Sequence, residues 1–260
     1  MKNLNPLRSF AIAFALCLAL ASCRKKDSIN VTPAPQLIKI EQDANNYIAL
    51  SYNADRTLSL IKDVEDSYIS ETEITYNTDK KPIAGKTTMF SLDFIYTGGK
   101  LTRINTLDCQ TKQLIGFTEF TYQNNQLIQT GISATINGQI VVETRLSYLY
   151  YSNGDVKQIA MSELDFTDKT FSVYAIHRFE YDQKVNPLQF GLELFSGLNW
   201  HASAHNIAKE TVLTANEQLQ ETITTTYTYD QATGMPLTAI EKSVPVDGDV
   251  VTVNKKFIYK

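Results

Sequence analysis

Cysteine is nearly absent from this sequence. Of the three in 260 residues, Cys17 and Cys23 lie in the first 23 positions, and only Cys109 stands beyond them. A single thiol cannot close an internal disulfide, so the body has to be held by its packed core. No histidine is near Cys109 in sequence, and it reads as a small buried or edge-strand residue. Histidine is almost as scarce, with three in the chain, and there is one tryptophan. No Walker-type or dinucleotide-binding glycine motif occurs, and no Gly-x-Ser-x-Gly elbow, which removes the usual signatures of P-loop enzymes, Rossmann enzymes and α/β-hydrolases. A long apolar run is found only near the N-terminus, so no other segment could cross a bilayer as a helix. Basic residues are not in excess: 24 Lys and Arg face 28 Asp and Glu. Without a basic face to release counterions, nucleic acid is not an expected partner.

The first 22 residues read as an address. Lys2 and Arg8 give a basic start, Phe10 to Leu20 is an uncharged run of eleven, and Leu20-Ala21-Ser22-Cys23 follows. Eleven residues are too few to span about 30 Å of hydrocarbon, which takes roughly 20 in a helix, so a cleaved signal is expected. The closing tetrapeptide resembles the lipobox of bacterial lipoproteins. That resemblance implies a lipidated Cys23 as the first mature residue, carrying three acyl chains in most such bacteria, and two or more chains give stable anchoring. Residues 23–36 then form a polar tether with Pro33 and Pro35 two apart. Arg24 stands where an Asp would resemble an inner-membrane retention signal, which points to the outer membrane and leaves the leaflet open. Asp27-Ser28-Ile29 looks like the short O-glycosylation motif of Bacteroidota-type exported proteins. With Lys2 and Arg8 removed, 22 basic residues face 28 acidic ones, a net charge of -6.

Residues 37–260 read as a single all-β domain built on a repeat. An apolar residue, one spacer and a Tyr precede a polar turn and then a Leu, Val or Pro. The landmarks recur at Leu50/Tyr52/Leu58, Ile74/Tyr76/Pro82, Phe94/Tyr96/Leu101 and Phe120/Tyr122/Leu127. They return at Leu149/Tyr151/Val156, Phe179/Tyr181/Pro187 and Tyr227/Tyr229/Pro236, and Phe257/Tyr259 opens an eighth copy with no third landmark after it. Period-two alternation puts the Tyr on one face, with Glu71, Glu73, Asp93, Glu119, Arg178 and Glu180 on the other. Asn137-Gly138 and Asp247-Gly248 read as two-residue hairpin turns, and Gly98-Gly99 and Asn153-Gly154 fill turns within copies. The product is a long antiparallel meander of 14 to 16 strands, curved or barrel-like, with its Tyr face covered. Charges on the opposite face argue against a lipid-facing wall, where Arg or Lys at the midplane costs about 2 to 4 kcal/mol.

The rhythm breaks once, over Phe190 to Ala208, which holds Trp200, His201 and His205 and reads as a short helix or ordered loop capping the sheet. The repeat, with Tyr181-Asp182 and Tyr229-Asp230, is similar to YD repeats, which form spiralling β-sheets in secreted shells. Together with the lipobox, Asn186-Pro187 and the Trp-bearing insert, it resembles a Bacteroidota family of lipoproteins described as having a porin-like β fold. The resemblance brings no established activity and no catalytic residues.

Chemistry has to come from the residues. His201 and His205 are spaced i, i+4, a metal-pair spacing on a helix, but Ala202 removes the Glu of a zinc-protease motif and no third ligand is indicated, so no metal and no cofactor are expected. Ser203 lies between them with no elbow around it. Asp247-Gly248-Asp249 lacks the further oxygen ligands of a calcium loop. Trp200, His201 and His205 are the candidate ligand surface, and flat rings suit a glycan or a lipid. The reading is a non-enzymatic envelope lipoprotein that binds or scaffolds a glycan, lipid or envelope protein. An accessory role in polysaccharide uptake is one alternative. A hydrolase is the other, and it predicts two carboxylates about 5 to 9.5 Å apart in a cleft.

Overall fold

The computed structural model describes residues 35–136, 138–188 and 203–260. The first strands are β1 (Leu37–Glu41), β2 (Asn46–Tyr52), β3 (Leu58–Glu65), β4 (Tyr68–Tyr76), β5 (Pro82–Lys86) and β6 (Phe90–Thr97). They continue with β7 (Lys100–Asp108), β8 (Leu114–Gln123), β9 (Gln126–Ile136), β10 (Gln139–Tyr150) and β11 (Val156–Leu164). β12 (Phe171–Val185), β13 (His205–Thr214), β14 (Leu219–Tyr229), β15 (Pro236–Pro245) and β16 (Val251–Tyr259) complete the set. Every neighbour pair is antiparallel, and β16 pairs with β1, so the sixteen strands form one closed barrel. Closure leaves no sheet edge to attract another chain.

The repeat is the unit of closure. In each copy the Tyr sits opposite the third landmark across a one-residue bulge: Tyr52 faces Leu58, Tyr76 faces Pro82, Tyr96 faces Leu101 and Tyr122 faces Leu127. The extra residue in those copies is Ser59, Ile83, Thr102 and Ile128. Such bulges add local twist, and a bulge in each hairpin bends the meander round until it meets itself. Three copies differ from the sequence reading. The fifth uses Tyr150, facing Val156, in place of Tyr151. Leu146 and Tyr148 share the face of Tyr150 and are 0% and 4% exposed, whereas Leu149 is 57% exposed. In the sixth copy Tyr181 faces Ile207, not Pro187, because β13 is the strand that pairs there. The eighth copy is completed by Leu37, which faces Tyr259 across the bulge at Ile38.

The Tyr face is the inner one. Three clusters line it: Leu37, Leu50, Leu58, Ile61, Ile74 and Phe257 on the β1–β4 and β16 side; Phe94, Leu101, Ile104 and Phe120 on β6–β8; Leu146, Tyr148, Val156, Ile159 and Phe179 on β10–β12. Each fully buried side chain of this size contributes about 1.5 to 3 kcal/mol. Tyr52, Tyr76, Tyr96, Tyr122, Tyr150, Tyr181, Tyr227 and Tyr259 pack against these clusters. A ring in an apolar cluster still needs a partner for its hydroxyl. Here the hydroxyl reaches back one hairpin to the main chain: Tyr52 donates to the Leu37 carbonyl, Tyr96 to Pro82, Tyr150 to Leu127, Tyr181 to Val156 and Tyr259 to Pro236, at 2.7 to 2.9 Å. Those carbonyls belong to the third landmarks, so one residue serves two neighbouring tyrosines. Tyr76 meets the backbone of Leu58 in the same way. The seventh copy is shifted by two: Tyr227 donates to the Ile207 carbonyl, while Tyr229 bonds to Asp182 and Asn206.

The outer wall is charged along its strands. Lys62 pairs with Glu71 at 2.8 Å, Arg103 with Glu119 at 3.1 Å, Arg178 with Glu217 at 2.9 Å and Lys209 with Glu180 at 2.8 Å. Gly138 stands at φ 76° just before β10, whose Gln139 pairs with Ile136 at the end of β9. The Asp247-Gly248 turn is longer than expected, since Ser243 pairs with Val251 and the Val246 N–H is taken by the Gln220 carbonyl of the adjacent strand. Cys109 lies in the β7–β8 turn, partly exposed, and not in a strand.

Candidate functional site

The turns that follow the tyrosines gather at one end of the barrel, with Leu37 and Tyr259. Moving from that end into the interior, the lining changes from apolar to polar. A cavity of about 520 Å³ occupies the arc from β13 through β16 and β1 to β4. Ile48, Ile61, Ile207, Tyr227, Ala239 and Phe257 line it toward the tyrosine end. One inward step further along the same strands come Gln42, Asp63, Thr72, Glu210, Glu241 and Lys255. The polar level is acidic. Lys255 Nζ is 2.7 Å from Glu241, and His177 Nδ1 is 2.6 Å from Glu210, so two of the three carboxylates are matched. Asp63 has no ion-pair partner among the described residues, and burial together with the Glu65 charge pushes its carboxyl above the usual carboxylate range.

A second cavity, of about 530 Å³, lies at the tyrosine end where the β10–β11 turn meets the end of β12 and the start of β13. Asp155, 1% exposed, is its anchor. Its Oδ1 accepts the Ala204 N–H at 2.9 Å and its Oδ2 accepts from Asn153 Nδ2 at 2.7 Å. Oδ2 also lies 2.7 Å from His205 Nδ1. A carboxylate only accepts, so Nδ1 carries a proton and Nε2 is the ring nitrogen left for another partner. Nε2 has no hydrogen-bond partner among the described residues, and His205 lines the cavity with Tyr151, Glu180, Asp182 and Gln183.

The insert expected over 190–208 is only partly as read. Residues 189–202, with Trp200 and His201, lie outside the described residues, as does Cys23. His205 opens β13 and is an extended residue. Its partner is Asp155, fifty positions away. Ser203 is not a nucleophile: 1% exposed, its Oγ donates to the Tyr181 hydroxyl at 2.8 Å and accepts the Val156 N–H at 3.0 Å, leaving it neither a base nor an open face. Among the described residues no group of three His, Cys, Asp or Glu is placed to hold a metal ion. Sequence reasoning missed Asp155 and Asp63. The signal for Asp155 was available in the turns, because the matching last position holds Thr57, Lys81 and Gln218 in the three other described turns of the same hydrogen-bond pattern.

The fold has solved relatives in shape. A porin-like protein from Bacteroides uniformis ATCC 8492 superposes with a TM-score of 0.57 at 12% identity, covering 88% of this chain and 98% of that one. A porin-like protein from Bacteroides vulgatus ATCC 8482 gives 0.57 at 11% identity, over 86% and 99%. At that identity the likeness is one of fold. No protein-family model matches the chain, and no curated protein matches it in sequence.

Proposed function

We propose that this chain is a non-enzymatic envelope lipoprotein whose barrel binds a small amphipathic molecule. The observation that carries the reading is the graded interior cavity, which offers an apolar floor and a polar, acidic upper level in a volume typical of small-molecule sites, about 300 to 1,000 Å³. An apolar body would fill the floor, and a neutral or cationic head would meet Asp63, the one carboxylate at that level without an ion-pair partner among the described residues, where an anionic head is disfavoured. The ion pairs along the outer wall support a barrel surrounded by water, since a lipid-facing wall would bear an apolar band. The Leu20-Ala21-Ser22-Cys23 run supports attachment by lipid on Cys23, with the body held off the membrane by residues 24–36. An enzymatic role has less support: Ser203 is fully engaged and the cavity carboxylates Glu210 and Glu241 are each tied to a base.

Calorimetric titration of residues 27–260 with dodecylamine, dodecanol and dodecanoate, each below its micelle concentration, tests the cavity. Saturable binding of the amine and the alcohol is expected, with dodecanoate weaker by about tenfold or more, roughly 1.4 kcal/mol. Ile61→Trp, which fills the floor, should abolish binding, and Asp63→Asn should bring the three ligands closer together. Binding that survives Ile61→Trp, or a preference for dodecanoate, would refute the assignment. The anchor has its own check. Cells fed a labelled fatty acid should label the wild-type chain and not Cys23→Ala, and equal labelling of the two would remove the lipoprotein reading.

A further inference from the structure

We infer that the Asp155–His205 cavity is a second binding site, separate from the barrel interior, and that its ligand is an uncharged saccharide. The site is built in advance. Asp155 is sunk in the wall and fixes the His205 ring by its Nδ1, so that Nε2 is held at the cavity surface as the nitrogen left for a ligand. Asn153 is spent on holding Asp155, donating from Nδ2 and accepting the Asp155 N–H on Oδ1. Asp182 is held on both oxygens, by the Lys184 N–H and the Tyr229 hydroxyl, and each oxygen keeps a spare lone pair. Tyr151 is pinned by its own hydroxyl, which donates to the Phe179 carbonyl at 2.8 Å, and its ring packs edge-on against Tyr181 with centroids 6.4 Å apart. The ring therefore cannot swing away, yet it stays 38% exposed. Groups held this way are ordered before a ligand arrives, which lowers the entropic cost of binding.

The chemistry of the lining selects the ligand class. Apart from the Tyr rings, the cavity surface is made of hydrogen-bonding groups: carboxylate acceptors on Glu180 and Asp182, the Nε2 of His205, and both donor and acceptor on Gln183. A purely apolar ligand would strip these of water without replacing it. An anion would meet the Asp182 carboxylate, Glu180 being already paired with Lys209. A metal ion lacks a third ligand among the described residues. A pyranose supplies what remains, with hydroxyls that donate to the fixed acceptors and a C–H face that lies on a flat ring such as Tyr151. The volume of about 530 Å³ leaves room for more than one sugar ring.

The histidine-ring NMR spectrum of residues 27–260 reads the site directly, because the His205 signal is assigned by its loss in His205→Gln. Lactose, maltose and N,N′-diacetylchitobiose are titrated in turn, with galacturonate as the charged control. At least one neutral disaccharide is expected to shift the His205 resonance along a saturable curve. Galacturonate should bind about tenfold more weakly or not at all. Tyr151→Ala should weaken the neutral sugar by about tenfold, Tyr151→Phe should retain most of the affinity, and Ile61→Trp should leave it unchanged. That last variant separates this site from the barrel cavity, so either assignment can fail alone. No saturable shift with any of the three sugars, equal binding of galacturonate, or full binding by a folded Tyr151→Ala protein would each overturn the inference.

Discussion

Removal of residues 35–41 is expected to destroy the barrel, not merely to shorten it. β1 is the strand that joins β16 to β2, and without it both become open edges. Leu37 and Ile40, 3% and 9% exposed, leave the largest apolar cluster, and core truncations of this kind cost about 2 to 5 kcal/mol each. Tyr52 loses its acceptor, the Leu37 carbonyl, and Tyr259 loses the residue it faces. The combined loss is comparable to the whole stability of an ordinary domain, about 5 to 15 kcal/mol. Size-exclusion chromatography and far-ultraviolet circular dichroism should therefore find aggregate or unfolded chain in place of a folded monomer. A control distinguishes loss of β1 from loss of chain continuity. Gln36 and Lys260 exchange two backbone hydrogen bonds of 3.1 and 3.0 Å, so a short linker between them with new termini opened in the 246–250 turn should fold normally. A truncated protein that stays monomeric with an unchanged melting temperature would show that closure is not what holds the sheet.

That dependence on β1 explains what the sequence showed and what it hid. Alternation and the recurring Tyr are local, and they were enough to give an all-β meander with its rings on one shared face. Choosing between Tyr150 and Tyr151 needed more, because Leu146-Ser147-Tyr148-Leu149-Tyr150-Tyr151 offers an apolar-x-Tyr triplet in either phase. Spacing did not decide it: Tyr to third landmark is six positions at Tyr52 and five at Tyr96, so both phases fitted. The partner of Tyr181 was hidden for a different reason. Asn186-Pro187 imitates a landmark in sequence, while the strand that actually pairs resumes only at His205. Leu37 as the eighth landmark is a contact between the two ends of the fold, and no local pattern encodes it. The same applies to the second cavity, where Asp155 and His205 meet across fifty residues. A scan for motifs picked His205 for its neighbour in sequence, but its working partner was supplied by barrel geometry.

The tyrosine ladder makes alkaline stability the other large expected effect. Burial raises the hydroxyl pKa of Tyr52, Tyr96, Tyr122, Tyr150, Tyr181, Tyr227, Tyr229 and Tyr259, and pushes Tyr76 up to about 12. The unfolded value is about 10, so the unfolded chain releases these protons first. A raised acid pKa of this kind contributes stability that is complete below pH 10 and disappears as pH climbs through the folded value. One tyrosine is linked to at most about 1.4 kcal/mol per pH unit in that window. Discounting each to about a third for partial exposure, nine together still give about 4 kcal/mol per pH unit. A domain at the lower end of the usual range, with about 5 to 8 kcal/mol in hand, should then unfold steeply between roughly pH 11 and 12. Ionisation and unfolding should also coincide, because a tyrosinate cannot donate to the Leu37, Pro82, Leu127, Val156 or Pro236 carbonyl. Parallel titrations of tyrosinate absorbance and far-ultraviolet circular dichroism would record both events. Most rings ionising gradually near pH 10, with the strand signal intact, would mean that the hydroxyl ladder does not hold the barrel together.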